Sequence, residues 1–277
     1  MGEPLRFCIA TDGSPISQNA FYMVRDDLMR PNDFIIVMHI FDNSKAYLPP
    51  ELRSDYIYRS TESQLLPYLN PSKYNLQWVP RDPSKSTRQQ LVETAEFQTA
   101  SIMVVGFHGR RGPKQDATVM GSAVDHSLQI GNFSLLIVKN QLHRSVVPRG
   151  SFNWIVLADG SAKSEQAFRT AASLARRDTD EVHVIHGRTN DQETLKKQYD
   201  EWIAQHGLRG SYIDINIRRT TFTEELIEFL NTWEVRVDFT VLGAYGKTAY
   251  STGSFSSVGS VTHDIIRFVK TNILIIK

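Results

Sequence analysis

The sequence predicts an α/β protein made of two tandem copies of one five-stranded parallel unit, and three observations carry this. Short β-branched runs alternate with helical patterns along the whole chain, the signature of parallel βαβ units. The segment RFCIATDGSPISQNAF at 6–21 aligns without a gap on NWIVLADGSAKSEQAF at 153–168. After it, IMVVGFHG (102–109) and LLIVK (135–139) recur in the same order as FTVLGAYG (239–246) and ILIIK (273–277). Self-similarity of this kind marks a repeated structural unit.

Element by element, the first copy reads as strands at 5–11, 34–40, 75–80, 101–105 and 134–138, with helices at 16–29, 56–70, 84–99 and 121–130 between them. The second reads as strands at 153–158, 181–186, 212–218, 238–242 and 272–276, with helices at 162–176, 191–206, 223–233 and 258–268. Asp12 to Gly106 covers 94 positions and Asp159 to Gly243 covers 84, so the first copy carries about ten extra residues. The stretch 42–67, rich in tyrosine, proline and charge, is placed as their surface excursion. The polar segment NQLHRSVVPRGS separates the copies, giving domain 1 at 1–140, a linker at 141–151 and domain 2 at 152–277. The last strand of each copy is apolar at nearly every position, and an open edge of that kind invites aggregation. The expectation is that these two strands cover each other as a pseudo-dimer inside one chain.

Composition narrows the partners. A length of 277 residues suits two domains of about 100–200 residues each. A net charge of +1 gives no electrostatic footprint for nucleic acid or an anionic membrane. The one cysteine, Cys8, lies in an apolar run and reads as a small buried hydrophobe. No apolar run approaches the roughly 20 residues that span a bilayer, and the first residues lack a secretory pattern. The expectation is a cytoplasmic protein with no nucleic-acid or membrane partner.

In an open parallel sheet, ligands bind beyond the carboxyl ends of the strands, where the strand order reverses. Asp12 and Asp159 follow strand one, and the pairs Gly106/Gly109 and Gly243/Gly246 follow strand four. Such glycines let backbone amides approach an anion, while Gly121-Ser122 and Gly259-Ser260 present free amides at a helix N-terminus. Arg110, Arg111 and Lys114 add positive charge to the first loop, and Lys247 to the second. Asp12 could accept from a ribose hydroxyl or sit near Mg2+. Against this stands a plainer reading: Asp-Gly-Ser after a strand commonly serves as a helix N-cap, and glycines there commonly serve only the turn. No cysteine, histidine or carboxylate cluster has metal-ligand spacing, so no metal site is expected. The four tryptophans are scattered and read as packing residues.

These residues together resemble the universal stress protein family, over almost the whole chain and twice, as a tandem member. ATDGS, VMHI and VVGFHGR carry the likeness in the first copy; LADGS, VIHG and VLGAYGK carry it in the second. The resemblance implies a Rossmann-like, adenine nucleotide alpha hydrolase-like sheet of order 3-2-1-4-5 that pairs through strand five, within the chain or as a homodimer. It also implies ATP or AMP as ligand, with or without Mg2+. Carried over, base and ribose fall to Ala10, Thr11, Asp12 and Ile40, and phosphates to Gly106, Gly109, Gly121, Ser122 and Ala123. The second copy offers Leu157, Ala158, Asp159, Gly187, Gly243, Gly246, Gly259, Ser260 and Val261. Both loops depart from the family spacing of nine: eleven residues separate Gly109 from Gly121, and twelve separate Gly246 from Gly259. In the second copy Tyr245 stands where the family often has histidine, and Gly187 removes a side chain beside the adenine position, so the first site is ranked above the second.

The leading expectation is a nucleotide-dependent stress or signalling module. Two alternatives stand beside it. One is a slow ATP or phosphoester hydrolase using His108; the other is a nucleotide-free scaffold that works through protein contacts.

Overall fold

The fold is that of a computed structural model. It describes residues 3–42, 44, 47–65, 67–110, 112, 118–145, 147, 150–187, 192–215, 221–246 and 258–277. The chain divides into two compact units, residues 1–141 and 142–277.

The first unit runs β1 (Arg6–Ala10), α1 (Pro15–Tyr22), β2 (Phe34–Phe41), α2 (Ser54–Leu65), β3 (Tyr74–Pro80), α3 (Thr87–Phe97), β4 (Ile102–Gly106), α4 (Ser122–Ile130) and β5 (Ser134–Val138). Its sheet has the order β3-β2-β1-β4-β5, with every pairing parallel. The second unit runs β6 (Asn153–Ala158), α5 (Ala162–Leu174), β7 (Glu181–Gly187), α6 (Gln192–Gln205), β8 (Tyr212–Ile215), α7 (Phe222–Thr232), β9 (Phe239–Gly243), α8 (Ser260–Phe268) and β10 (Asn272–Ile276). Its order is β8-β7-β6-β9-β10, again all parallel. Each unit is thus a Rossmann-like sheet of order 3-2-1-4-5, in which the direction of strand addition reverses between strands one and four.

Strands covered on both faces must be apolar throughout. Phe7, Cys8 and Ile9 of β1 and Trp154, Ile155 and Val156 of β6 are fully buried, as are Ile273 and Ile275 of β10. Burial pushes the Cys8 thiol up to about 12, so it acts as a small hydrophobe. Helices cover the sheet with residues three or four apart, such as Leu91, Val92 and Ala95 of α3 and Ala167, Phe168 and Ala171 of α5. Serine N-caps start α1, α3 and α5: Ser14, Ser86 and Ser161 each accept from the amide three residues on.

Several boundaries differ from the sequence reading. Helix α1 ends at Tyr22 and continues through 23–28 as a wider π turn, in which the Met29 amide reaches the Val24 carbonyl at 2.8 Å. Helix α2 stops at Leu65 instead of residue 70, because Pro67 lacks an amide donor and disfavours helix in the residue before it. Strand β8 is described only to Ile215; the rest of that expected strand, with residue 191 of the helix before it and 146 and 148–149 of the expected linker, lies outside the described residues. The first unit has twelve positions, 42–53, between β2 and α2, whereas 188–191 separate β7 from α6. That is where most of its extra length sits.

A clamp missed in the sequence holds the amino-terminal edge of each sheet. Asp33, fully buried, accepts from the Leu5 amide at 2.8 Å and from the Arg30 guanidinium at 2.8 and 2.9 Å. Asp180, also fully buried, accepts from the Phe152 amide at 3.0 Å and from both terminal nitrogens of Arg144. Asp33 lies 21 positions after Asp12 and Asp180 lies 21 after Asp159 (33 − 12 and 180 − 159), so the clamp belongs to the repeat. Arg144 lies near the start of the second unit, its guanidinium 4.1 Å from the Phe152 ring centroid. Burial alone would raise the Asp180 carboxyl; Arg144 and the amides of Phe152 and Arg176 outweigh it and hold the group below the usual range.

Candidate functional site

In the first unit a cavity of about 1230 Å³ opens over the carboxyl ends of β1, β2, β3 and β4. Ala10, Thr11, Asp12, Ile40, Gly106, Gly109, Gly121, Ser122 and Ala123 all line it. The fold therefore brings the nine first-copy candidates to one cleft, at the point where strand order reverses.

Asp12 holds this cleft together. Its Oδ1 accepts from the Ser14 amide at 3.0 Å, a local Asx turn that feeds the α1 cap. Its Oδ2 accepts from the Arg110 amide at 2.6 Å, which ties the glycine loop to β1. The Arg110 side chain completes the tie: Nε donates to the Asp12 carbonyl at 3.0 Å and Nη1 to the Leu52 carbonyl at 3.5 Å. Glycine at 109 suits this approach, since a Cβ there would lie 3.0 Å from Asp12 Oδ2, tighter than an ordinary contact. A carboxylate oxygen has two lone pairs, so each Asp12 oxygen keeps acceptor capacity for a hydroxyl.

The longer loop still returns to one anchor. The Gly121 amide donates to the Phe107 carbonyl at 2.9 Å, which fixes where α4 begins. Gly121 offers no side-chain cap, so the first amides of α4 remain available to an anion and gain from the positive end of the helix dipole. At the other end of the cleft His39 is nearly fully buried, with Nδ1 at 2.8 Å from the Thr11 carbonyl. A carbonyl only accepts, so this nitrogen carries the proton. Burial pushes the His39 imidazolium down, and the Thr11 carbonyl offsets it only in part. His108, which also lines the cleft, lies edge-on to Phe107 at 4.6 Å.

The second unit repeats the scaffold. Asp159 Oδ1 accepts from the Ser161 amide at 3.0 Å, and a Cβ on Gly246 would lie 3.1 Å from Asp159 Oδ2. The Gly259 amide donates to the Ala244 carbonyl at 3.0 Å, and Thr262 Oγ1 ties the first turn of α8 to the Gly243 carbonyl at 3.0 Å. Leu157 and Ala158 end β6, Gly187 and Gly243 end β7 and β9, and Ser260 and Val261 open α8. Arg111, Lys114, Lys247 and the hydroxyl-rich stretch 248–257 lie outside the described residues. Among the described residues no group of three His, Cys, Asp or Glu side chains could hold a metal ion, and no helix is long and apolar enough to cross a membrane.

Comparison with known proteins bears on this arrangement. The family model described as Universal stress protein family matches residues 5–139, nearly the whole first unit. The first unit thus belongs to the universal stress protein family. The fold of both units is shared with a universal stress protein from Archaeoglobus fulgidus DSM 4304, at 16% identity, 98% coverage of each chain and a TM-score of 0.63. A functionally unknown protein from Pseudomonas aeruginosa PAO1 is similar at 12% identity, covering 98% of this chain and 92% of that one, with a TM-score of 0.60. A universal stress protein solved in complex with cAMP matches half of this chain and 98% of its own, at 16% identity and a TM-score of 0.33. Among curated protein sequences, none matches.

The tryptophans pack, as the sequence suggested. Trp154 stacks on Phe239 at 4.1 Å, Trp202 lies 5.1 Å from Tyr199, and Trp233 meets Phe229 at 5.3 Å. Trp78 packs as well, against Tyr58 at 5.1 Å and His39 at 5.6 Å, and it also lines the cleft. Arg110 was singled out in the sequence for its charge; its structural part is to join three segments of the cleft wall.

Proposed function

We propose that the first unit binds an adenine nucleotide, ATP or AMP, and that occupancy alters the conformation or partners of a cytoplasmic stress or signalling protein. The observation that carries this reading is the convergence, in one large cleft at the strand-order reversal, of a hydrogen-bonding carboxylate and an uncapped helix N-terminus. Ala10, Thr11, Asp12 and Ile40 take the base and ribose. Gly106, Gly109, Gly121, Ser122 and Ala123 take the phosphates through backbone amides and the Ser122 hydroxyl. Mg2+ arrives on the phosphates of ATP. The second unit, with Leu157, Ala158, Asp159, Gly187, Gly243, Gly246, Gly259, Ser260 and Val261, is the weaker site.

The test is to denature freshly purified protein and identify released nucleotide by mass, then to titrate stripped protein with Mg-ATP. Adenine nucleotide released or bound at micromolar to millimolar concentration supports the reading. Its absence in both assays removes it and favours a nucleotide-free scaffold. One observation speaks for that second reading: both Asp12 oxygens already accept a backbone amide, so the carboxylate also has a purely architectural part. Should Mg-ATP be turned over slowly, His108→Ala tests whether the cleft histidine takes part.

A further inference from the structure

The cleft exceeds the roughly 300–1,000 Å³ of ordinary ligand pockets, and it reaches Trp78 of β3 and Tyr58 of α2. There Trp78, Tyr58, Leu52 and Leu91 line the same cleft as Ile40, which pairs in register with Val79 beside Trp78. Trp78 is part-exposed into it and held in one orientation from three sides. Its Nε1 donates to the Ser54 carbonyl at 3.1 Å, the Tyr58 ring meets it edge-on at 5.1 Å, and His39 lies against it at 5.6 Å. An aromatic side chain with a fixed rotamer at the end of a polar cleft is a pre-organised surface for a planar ring, because little entropy remains to be lost when the ring docks.

We propose that Trp78, braced by Tyr58, is the base-stacking platform of the first unit and makes the cleft selective for a purine nucleoside polyphosphate. This rests on the nucleotide reading above and specifies its ligand. The platform is on β3 and Gly106 is on β4, three strand spacings apart in the order β3-β2-β1-β4, about 14 Å at 4.7–4.9 Å per spacing. A ligand that touches both the platform and the α4 N-terminus must extend across that distance, which a nucleoside with a chain of phosphates does better than a monophosphate. A two-ring purine covers more of the indole than a pyrimidine. At the matching register position of the second unit Asp214 pairs with His186, where Trp78 pairs with His39 in the first.

The experiment titrates the full chain, stripped of nucleotide, with Mg-ATP, AMP and Mg-CTP, using wild type, Trp78→Leu and Trp78→Phe. Wild type is expected to favour ATP over both AMP and CTP. Trp78→Leu should lose roughly five- to a hundred-fold in ATP affinity and most of the ATP-over-CTP preference, while Trp78→Phe restores the larger part of both. A folded Trp78→Leu protein that binds ATP within twofold of wild type, or keeps the base preference, overturns the platform and leaves the nucleotide reading intact. If wild type binds none of the three, the nucleotide reading itself has failed. Should Trp78→Leu not fold, Trp78→Phe decides by fluorescence. Loss of the ATP-induced quenching supports the platform, and a quench of wild-type size overturns it.

Discussion

His39 and His186 occupy the same place in the repeat, one strand away from the Asp-Gly-Ser turn, yet they face different neighbours. His39 is paired in register with Trp78, whose ring lies tilted against it at 5.6 Å, whereas His186 is paired with Asp214, whose carboxylate lies 3.8 Å from its Nδ1, and stacks on Tyr212 at 6.2 Å. Around this difference almost everything is held in common: the strand order, the Asx turn at Asp12 and Asp159, the glycine against each carboxylate, and the return of the loop to the residue after strand four. The duplicated scaffold has been kept while one end of the cleft has diverged. Scaffold residues answer to chain geometry, which both copies must satisfy; a cleft-end residue answers to a ligand, which they need not share.

Substitutions at matched positions probe how far the two units are equivalent. The largest expected difference is at the buried clamps. Removing the Arg144 side chain leaves Asp180 charged and buried, so Arg144→Ala should destabilise the second unit by about 3–5 kcal/mol. The Arg30 side chain is 26% exposed, so water can replace it beside Asp33, and Arg30→Ala should cost the first unit only about 1–2 kcal/mol. Chemical denaturation followed by tryptophan emission measures both, since three of the four tryptophans lie in the second unit. Equal losses would mean that the clamps are interchangeable.

Next in size is a pair of alanine substitutions at the loop ends. A Cβ on Gly121 would lie 3.0 Å from the Phe107 carbonyl oxygen, while one on Gly259 would stand 3.7 Å from that of Ala244, an ordinary contact. Gly121→Ala should therefore strain the start of α4, cost about 1–3 kcal/mol, and weaken ATP binding. Gly259→Ala should leave both within error, as thermal melts and titration would reveal. A Gly121→Ala protein with normal stability and affinity would show that α4 does not depend on this close approach.

Two smaller effects concern pH. Asp180 has a folded pKa below its ordinary 3.8. Its contribution is thus fully present above that value and is lost as pH falls through the folded pKa. Arg144→Ala should remove much of this acid limb, and an unchanged limb would assign it to other carboxylates. His39 is depressed below 6.5 by burial; its neutral form is favoured on folding, so the first unit should weaken gradually as pH drops below 6.5. NMR titration of His39 checks this directly, and a pKa at or above 6.5 would contradict it.

Much of this was legible in the sequence for a physical reason. Strands covered on both faces must be apolar at consecutive positions, so runs such as FCIA and ILII announce themselves, and an internal repeat confirms each element by its copy. Polar residues with long-range partners were not legible. Asp33 and Asp180 each precede a strand, where an aspartate ordinarily suggests a turn, and only their common spacing from Asp12 and Asp159 could have flagged them. Trp78 was hidden by the same logic reversed: its counterpart is Asp214, so the repeat gave it no support. The π turn at 23–28 has no sequence signal that we can identify.

The central claim is that one shared scaffold carries one competent nucleotide site, in the first unit. Calorimetric titration of the stripped full chain with Mg-ATP tests it most directly, comparing wild type with Asp12→Ala and Asp159→Ala. The expected result is one dominant site per chain, lost in Asp12→Ala and retained in Asp159→Ala. Two equivalent sites, or a site that survives Asp12→Ala and disappears in Asp159→Ala, would contradict it.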